Sequence, residues 1–339
     1  MSKEKKNMVV PKLRFPEFPE SEEWKTEPLG DIYSFISTNS FTRDDLNYEN
    51  GTVKNIHYGD VHTKFATLFD VTKEVVPFIN PSMPLEKIST DAYCVEGDMI
   101  FADASEDLKD VGKSIEVFFL NNEKVLSGMH TLQARQKENK LAVGFGGHLF
   151  MSEYIRRQIQ REAQGAKVLG VSATRLSNTI IFYPKNKTEQ KKIASCLSSL
   201  DDLITAHTQK LDTLKAHKKG LMQQLFPAEG EKGPKLRFAE FKDSGEWEED
   251  IMDNVAEFLK GKGISKADIS STGSLPCIRY GELYTYYNEV IDTVISFTDL
   301  SPDELILSEA NDVIIPSSGE TREDIATASC VLKSGIALG

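Results

Sequence analysis

The feature that most constrains the fold of this chain is an internal repeat. Residues 11–18, Pro-Lys-Leu-Arg-Phe-Pro-Glu-Phe, return at 234–241 with a single change, from Pro to Ala. The two tryptophans of the chain, Trp24 and Trp247, share the same offset, and twelve of the first 36 aligned positions are identical. A repeat of this length predicts that one structural unit is built twice.

The repeat continues through the middle of each copy with a shifted offset. Residues 55–61 pair with 277–283 around a shared Tyr-Gly step, and residues 97–101 pair with 311–315. In this alignment the second copy ends about halfway. The sequence therefore predicts a first globular domain at 11–184, a long spacer helix at 185–226, a linker at 227–233 and a partial second domain at 234–339.

Local patterns predict a mixed α/β (α+β) fold. An amphipathic helix is expected over residues 147–162, with Arg156, Arg157 and Arg161 opposite its apolar face. Short runs rich in β-branched and aromatic residues predict strands of an irregular, largely antiparallel sheet. These strands are expected at 53–56, 66–71, 98–101, 115–120 and 179–183.

The segment from 188 to 226 carries a heptad seam, because apolar residues recur there at steps of four and three. Asn186 and Glu189 form a plausible capping pair at its start. A helix that is apolar along one stripe needs a partner, so we expect it to pack on another long helix. The predicted seam residues are Ile193, Leu197, Leu200, Ile204, Leu211, Leu214, Leu221 and Leu225.

Charge is distributed unevenly along the chain. The formal net charge is −12, yet residues 141–226 hold 13 Lys and Arg against 6 Asp and Glu, whereas residues 234–339 hold 9 against 20. Because phosphates are neutralised by Lys and Arg, the total charge argues against a nucleic-acid binder while the basic middle does not. The acidic segment at 234–339 is explained equally well as an ordinary solvated surface with no functional role.

No catalytic or metal-binding arrangement is recognised, so the sequence predicts a chain that is not an enzyme and carries no cofactor or metal. The four cysteines lie far apart and the six histidines show no metal-ligand spacing. The start of the chain does not resemble a signal peptide, and no stretch approaches the roughly 18 apolar residues of a membrane span. A cytoplasmic protein is expected.

Two aromatic residues at matching positions are candidates for DNA contact. Tyr58 follows His57 in the first copy, and Tyr280 follows Arg279 in the second. Each pair combines a ring with a side chain that can hydrogen-bond to a base edge. Packing of the tyrosines into the core is an equally good explanation.

Cationic loops are the second kind of candidate. Lys260, Lys262 and Lys266 stand with two glycines in one loop, which lets backbone amides and ammonium groups approach phosphates. A plain surface loop explains these residues nearly as well. Arg43 occupies the position that Lys266 holds in the second copy. Phosphate contact is also considered for a loop of the first copy, at Lys167, Ser172 and Arg175.

Three sequence blocks together point to a known family. The Pro-Lys-Leu-Arg-Phe leader at 11–15 recurs at 234–238, the Ala-Gln-Gly loop at 163–165 is followed by Val-Ser at 171–172, and Glu-Gln-Lys-Lys-Ile-Ala at 189–194 opens the heptad helix. On these blocks the chain resembles the specificity subunits of type I restriction-modification systems along essentially its whole length.

The resemblance implies two target recognition domains that each read one half of a bipartite DNA site, with long helices setting the spacing between the halves. It implies three partners: double-stranded DNA, modification (methyltransferase) subunits and restriction (endonuclease and translocase) subunits. The chain itself would be non-catalytic, and S-adenosylmethionine, Mg²⁺ and ATP would belong to the partner subunits.

Two alternatives stay open. The chain is also interpretable as a coiled-coil scaffold whose duplicated globules bind a ligand other than DNA. A third interpretation is a half-subunit that self-associates through its exposed helix and reads a symmetric site. The target bases are not predictable, because they depend on the geometry of a few loop side chains.

Overall fold

The structure is a computed structural model that describes residues 11–18, 23–319 and 321–339. The chain divides into two compact units, Met1–Lys219 (unit 1) and Gly220–Gly339 (unit 2). This division falls inside the long helix, and the segment boundaries after residues 184, 226 and 233 stay a prediction.

The strands and helices of unit 1 are short, apart from the long helix α6. The strands are β1 (Lys25–Pro28), β2 (Tyr33–Ile36), β3 (Leu46–Asn47), β4 (Lys54–Ile56), β5 (Leu68–Asp70), β6 (Phe78–Ile79), β7 (Met99–Ala102), β8 (Ala104–Ser105), β9 (Ser114–Phe119), β10 (Val125–Ser127), β11 (Thr131–Gln136), β12 (Leu169–Gly170) and β13 (Ile180–Tyr183). The helices are α1 (Leu29–Ile32), α2 (Tyr58–Thr63), α3 (Phe145–Met151), α4 (Glu153–Glu162), α5 (Ala173–Ser177) and α6 (Lys187–Leu225).

Unit 1 is organised around strand β7. A five-stranded sheet runs in the order β2-β11-β7-β9-β5, and a four-stranded sheet runs β10-β4-β6-β3. Successive side chains of a strand point to opposite faces. Met99 and Phe101 therefore enter one hydrophobic core, while Ile100 and Ala102 enter a second. The mixed α/β fold and the strands expected at 53–56, 66–71, 98–101, 115–120 and 179–183 are confirmed.

The helix predicted over residues 147–162 is wrong as a single element. It is two helices, α3 and α4, separated by Ser152, whose backbone is extended (φ −62°, ψ 141°). Ile155 and Ile159 of α4 are fully buried, and each burial contributes about 2 kcal/mol. Arg156 does not lie on the solvent face, because its guanidinium donates hydrogen bonds to three carbonyls in the 109–112 loop.

Of the two residues predicted to cap the start of α6, only Asn186 does so. Asn186 Oδ1 accepts a hydrogen bond from the Thr188 N–H at 2.8 Å. The prediction for Glu189 is wrong. Its buried carboxylate accepts hydrogen bonds from Arg14 Nη2 at 2.7 Å and from Trp24 Nε1 at 3.3 Å. The leader is thereby attached to the first turn of α6.

Most of the predicted seam of α6 is open to solvent in this chain. Ile193 is partly buried against the core of unit 1, whereas Leu200, Ile204 and Leu214 are 51%, 64% and 55% exposed. Packing of this stripe on another helix stays a prediction. Within the described residues no helix, α6 included, is long and apolar enough to cross a membrane.

Unit 2 repeats the pairing pattern of unit 1. Its strands are β14 (Leu275–Ile278), β15 (Val290–Ile291), β16 (Ser296–Thr298), β17 (Ile306–Leu307), β18 (Asp312–Ile314), β19 (Ser329–Val331) and β20 (Ala337–Leu338), and its helices are α7 (Met252–Val255), α8 (Tyr280–Thr285) and α9 (Arg322–Ile325). Strand β14 runs parallel to β20 as β4 does to β10. Strand β19 pairs with β15 and β18 as β9 does with β5 and β7. The predicted structural duplication is confirmed.

Candidate nucleic-acid interface

The turn between β4 and α2, which contains His57 and the candidate Tyr58, lies beside the ion pair of Arg43 with the buried Asp60. His57 caps α2, and its Nδ1 lies 3.1 Å from the Gly59 N–H and 3.1 Å from Arg43 Nη2. Burial and the nearby Arg43 charge lower the pKa of His57. The imidazole is therefore neutral near pH 7, and its Nδ1 serves as an acceptor.

Arg43 is engaged within the chain. Its guanidinium makes a two-point contact with Asp60, at 2.8 Å and 3.0 Å, and Lys64 Nζ lies 3.0 Å from the same carboxylate. Burial opposes ionisation of Asp60, but the hydrogen bonds from Arg43 and Lys64 outweigh it and lower the pKa of this carboxyl. The Arg43 side chain is still 42% exposed, so its contact with DNA stays a prediction.

Tyr58 lies in an aromatic cluster with three histidines. Its ring centroid is 4.7 Å from that of His57, 5.3 Å from that of His130 and 6.3 Å from that of His62. Tyr58 also packs partly on the second core of unit 1. The packing role considered for Tyr58 is therefore seen in part, since the residue is half-buried, and its contact with DNA stays a prediction.

Beside this cluster is an open groove of about 400 Å³. Three segments build it: the antiparallel pair of β8 with β12, the turn that contains His130, and the start of α5. Ser172 caps α5 by accepting a hydrogen bond from the Arg175 N–H. The groove is lined by Asp103, Ala104, His130, Gln164, Gly170, Val171, Ser172 and Arg175.

The groove brings together two of the predicted residues and leaves a third outside its lining. Ser172 and Arg175 are both in the lining, and Arg175 Nη1 donates a hydrogen bond to the backbone carbonyl of Glu162 at 3.1 Å. Lys167 is exposed in the loop that is closed by reciprocal backbone hydrogen bonds between Gln164 and Gly170. The roles of all three residues in DNA contact stay a prediction.

Two groove residues were missed by sequence reasoning. His130 has a left-handed backbone (φ 58°), which is uncommon for a residue other than glycine. Its Nδ1 lies 3.4 Å from Oδ1 of Asp103. In the sequence His130 is recognisable only as part of a short turn between two strands, and this pattern does not predict its contact with Asp103.

In unit 2 the matching turn has a different arrangement. Arg279 occupies the N-cap position of α8 without a side-chain cap, its N–H donates to Glu282 Oε2 at 3.1 Å, and its Nε lies 3.2 Å from Glu282 Oε1. Tyr280 is 51% exposed, and its ring centroid lies 6.4 Å from that of Tyr284. The three loop cations of this unit are all exposed, at Lys260, Lys262 and Lys266.

In the part of the chain that the structure describes, no three His, Cys, Asp or Glu side chains are grouped so as to hold a metal ion.

Residues 21–216 match the family model for the type I restriction modification DNA specificity domain. The chain belongs to this family. The match covers more than half of the chain and includes unit 1 from its first strand through most of α6. The resemblance seen in the sequence blocks is confirmed.

Two relatives extend the comparison. The chain is 25% identical over 222 residues to a putative type I restriction enzyme MjaX specificity subunit of Methanocaldococcus jannaschii, a match that covers 63% of this chain and 48% of that protein. The crystal structure of the type I restriction-modification S subunit from M. genitalium aligns with a TM-score of 0.50 at 12% identity, covering 97% of this chain and 72% of that one. The chain thus spans about half the length of the curated relative, and the structural likeness concerns the fold alone.

Proposed function

We propose that this specificity-domain protein is the non-catalytic, DNA-reading subunit of a type I restriction-modification complex. In this proposal, unit 1 reads one half of a bipartite site through the groove at Ser172 and Arg175. The observation that carries it is the groove itself, where hydrogen-bonding side chains from three segments converge in a member of a DNA specificity family. Unit 2 would read the other half through Tyr280, Arg279 and the exposed lysines.

The partners and cofactors follow from the same proposal. Methylation and cleavage would be carried out by modification and restriction subunits, which would bind S-adenosylmethionine, Mg²⁺ and ATP. A chain of net charge −12 is poorly suited to neutralise phosphates alone, so the modification subunits would supply much of that charge. We therefore expect the isolated chain to bind DNA weakly and with strong salt dependence.

The direct test is to map the methylated sites made by the chain together with its cognate modification subunits. We expect one defined bipartite sequence, and we expect Arg175→Ala to lower methylation of that sequence by about tenfold, as loss of an arginine contact does. Arg161→Ala is the matched control, because Arg161 is exposed on α4 and outside the groove lining. Methylation without sequence preference, or tight specific binding by the chain alone, would contradict the proposal.

The exposed stripe of α6 favours a second candidate, a half-subunit that pairs with another copy and reads a symmetric site. Leu200, Ile204 and Leu214 are each more than half exposed, which leaves a seam for a partner helix. Sedimentation at increasing concentration distinguishes the candidates: a strict monomer at high concentration excludes self-pairing. Methylation that does not depend on the chain would instead favour the scaffold interpretation.

A further inference from the structure

The groove of unit 1 holds one residue, Asp103, in a fixed position. The Asp103 N–H donates to the His130 carbonyl at 3.0 Å, and the Asp103 carbonyl accepts from the Val171 N–H at 2.8 Å. Two segments that lie far apart in sequence therefore hold the same residue from both sides. The backbone of Asp103 is thereby fixed, which places its side chain at the groove on a rigid support.

The carboxylate of Asp103 keeps free acceptor capacity. Its Oδ1 is covered by protein and faces His130 Nδ1 at 3.4 Å, yet no donor among the described residues completes a hydrogen bond to it. The side chain as a whole is 29% exposed, so its open part faces solvent at the groove. A carboxylate accepts at both oxygens. Because Oδ1 is covered by protein while the side chain is partly exposed, Oδ2 is the oxygen left to accept from a ligand that brings a donor into the groove.

The charges around the groove disfavour a phosphate as that ligand. Asp103 is anionic, and the charge of the adjacent Arg175 is offset by the Glu162 carboxylate, although Arg175 contacts Glu162 through its Nη1 group alone. Phosphate contacts are made by free cations and backbone N–H groups, whereas base edges are read by directional donors and acceptors. The groove is therefore better suited to a base edge.

The bases differ in what they offer to a lone acceptor. In the major groove, guanine presents two acceptors, thymine presents an acceptor and a methyl group, and adenine presents a donor next to an acceptor. Cytosine presents only its N4 amino donor. A carboxylate attracts that amino group and repels the acceptors of the other bases.

We infer that Oδ2 of Asp103 accepts a hydrogen bond from the N4 amino group of a cytosine in the half-site read by unit 1. The inference rests on the proposed function and names the base that the groove selects. The position that matches Asp103 in the second copy is Ser317, since both flanking blocks share one offset. A hydroxyl both donates and accepts, so unit 2 does not demand cytosine at the matching place.

The first arm of the test changes the DNA and leaves the protein intact. The complex of the chain with its modification subunits is assayed on DNA in which each cytosine of the methylated sequence is replaced, one at a time, by the pyrimidin-2-one nucleoside, which lacks the 4-amino group. We expect one cytosine whose replacement lowers the methylation rate by about tenfold, the usual size of a lost base contact. If every replacement is tolerated, the inference is overturned.

The second arm assigns the penalty to Asp103. Asp103→Leu and Asp103→Ala, whose side chains cannot accept a hydrogen bond, should lose the discrimination against the analogue at that one cytosine and accept other bases there, while the rest of the sequence requirement is kept. Asp31→Asn is the matched control, since Asp31 is exposed on α1 and outside the groove lining. If both Asp103 variants keep the wild-type penalty, cytosine is read elsewhere and the inference fails.

The two arms separate failure of the inference from failure of the proposed function. A wild-type complex that methylates no defined sequence refutes the proposed function before Asp103 is changed. A defined sequence with no cytosine in the affected half-site refutes the inference alone. If the alanine variant does not fold, Asp103→Leu, whose branched end resembles the carboxylate in shape, still decides the outcome together with the analogue series.

Discussion

The two units build the same strand-to-helix turn with different charge arrangements. In unit 1, His57 caps the helix and the buried Asp60 is held by Arg43, a residue from a separate loop. In unit 2 the N-cap residue is Arg279, which accepts no hydrogen bond from the helix and instead donates to the buried Glu282 three residues later. A buried carboxylate needs a cationic or hydrogen-bonding partner, and the two copies meet that need from different positions.

This difference decides which of the two matched cations is held in an ion pair. Arg43 and its counterpart Lys266 both lie at the surface. Arg43 is paired with Asp60, whereas Glu282 of unit 2 is held by Arg279 and by Ser296 Oγ at 2.7 Å. The two units therefore share a backbone frame but present different side chains to a ligand. Under the proposed function, such a difference would let the two units read unlike half-sites.

A second matched position differs inside the sheets. Glu116 of β9 accepts hydrogen bonds from the backbone N–H groups of Gly144 and Gly147 at 2.9 Å and 2.6 Å. Burial, partly offset by these bonds, raises the pKa of Glu116 to about 7. In β19 of unit 2 the same pairing position is taken by Cys330. Unit 1 thus contains a pH-sensitive carboxyl where unit 2 has a thiol.

The largest expected effect concerns this carboxyl. Since its folded-state pKa of about 7 lies above the ordinary value of 4.5, the folded protein binds this proton more tightly than the unfolded chain does. The stabilisation that the protonated Glu116 gives to the folded state is therefore fully present below pH 4.5 and is lost as the pH rises to about 7. We expect the loss to be about 3 kcal/mol of unfolding free energy.

Urea denaturation of wild type and Glu116→Gln at a series of pH values measures this loss. The difference between the two proteins should change between pH 4.5 and 7 and be constant above pH 8. Glu138→Gln is the control, because that side chain is 76% exposed. An unchanged difference across the range would show that Glu116 is ionised in the folded protein at all these pH values.

A smaller effect is expected at the turn of unit 1. Asp60→Ala leaves Arg43 and Lys64 without their buried partner, but both cations are partly exposed and can be rehydrated. We expect a loss of about 2 kcal/mol in unfolding free energy, below the value for a fully buried pair. Thermal unfolding followed by circular dichroism measures it.

The arrangement of unit 2 provides the rescue variant. Arg43→Ala removes the distant cation, and adding His57→Arg with Asp60→Glu rebuilds the local pair seen at Arg279 and Glu282. We expect the triple variant to be more stable than Arg43→Ala alone. If it is not, the two turns are not equivalent solutions to the burial of an acid.

The repeat, the strands around β7 and the heptad helix were predictable because local sequence periodicity encodes them. The remaining features depend on contacts between residues far apart in the chain. Glu189 was assigned to a local cap, yet its partner Arg14 is 175 residues away. The meeting of His130 with Asp103 depends on a backbone conformation that no motif signals. The break at Ser152 contains neither glycine nor proline, so the apolar spacing ran through it.

The smallest effect is expected from the loop cations of unit 2, and it tests the comparison of the two turns directly. If Lys266 contacts a phosphate, Lys266→Ala should lower the slope of log K against log salt by about 0.9 in the complex bound to DNA, and the triple alanine variant with Lys260 and Lys262 should lower it about three times as much. Both changes should weaken binding equally for all sequences, because phosphate contacts carry no base information. Arg43→Ala should leave the slope nearly unchanged, since its guanidinium is occupied by Asp60. If Arg43→Ala and Lys266→Ala change the slope equally, Arg43 contacts phosphate in spite of its ion pair with Asp60.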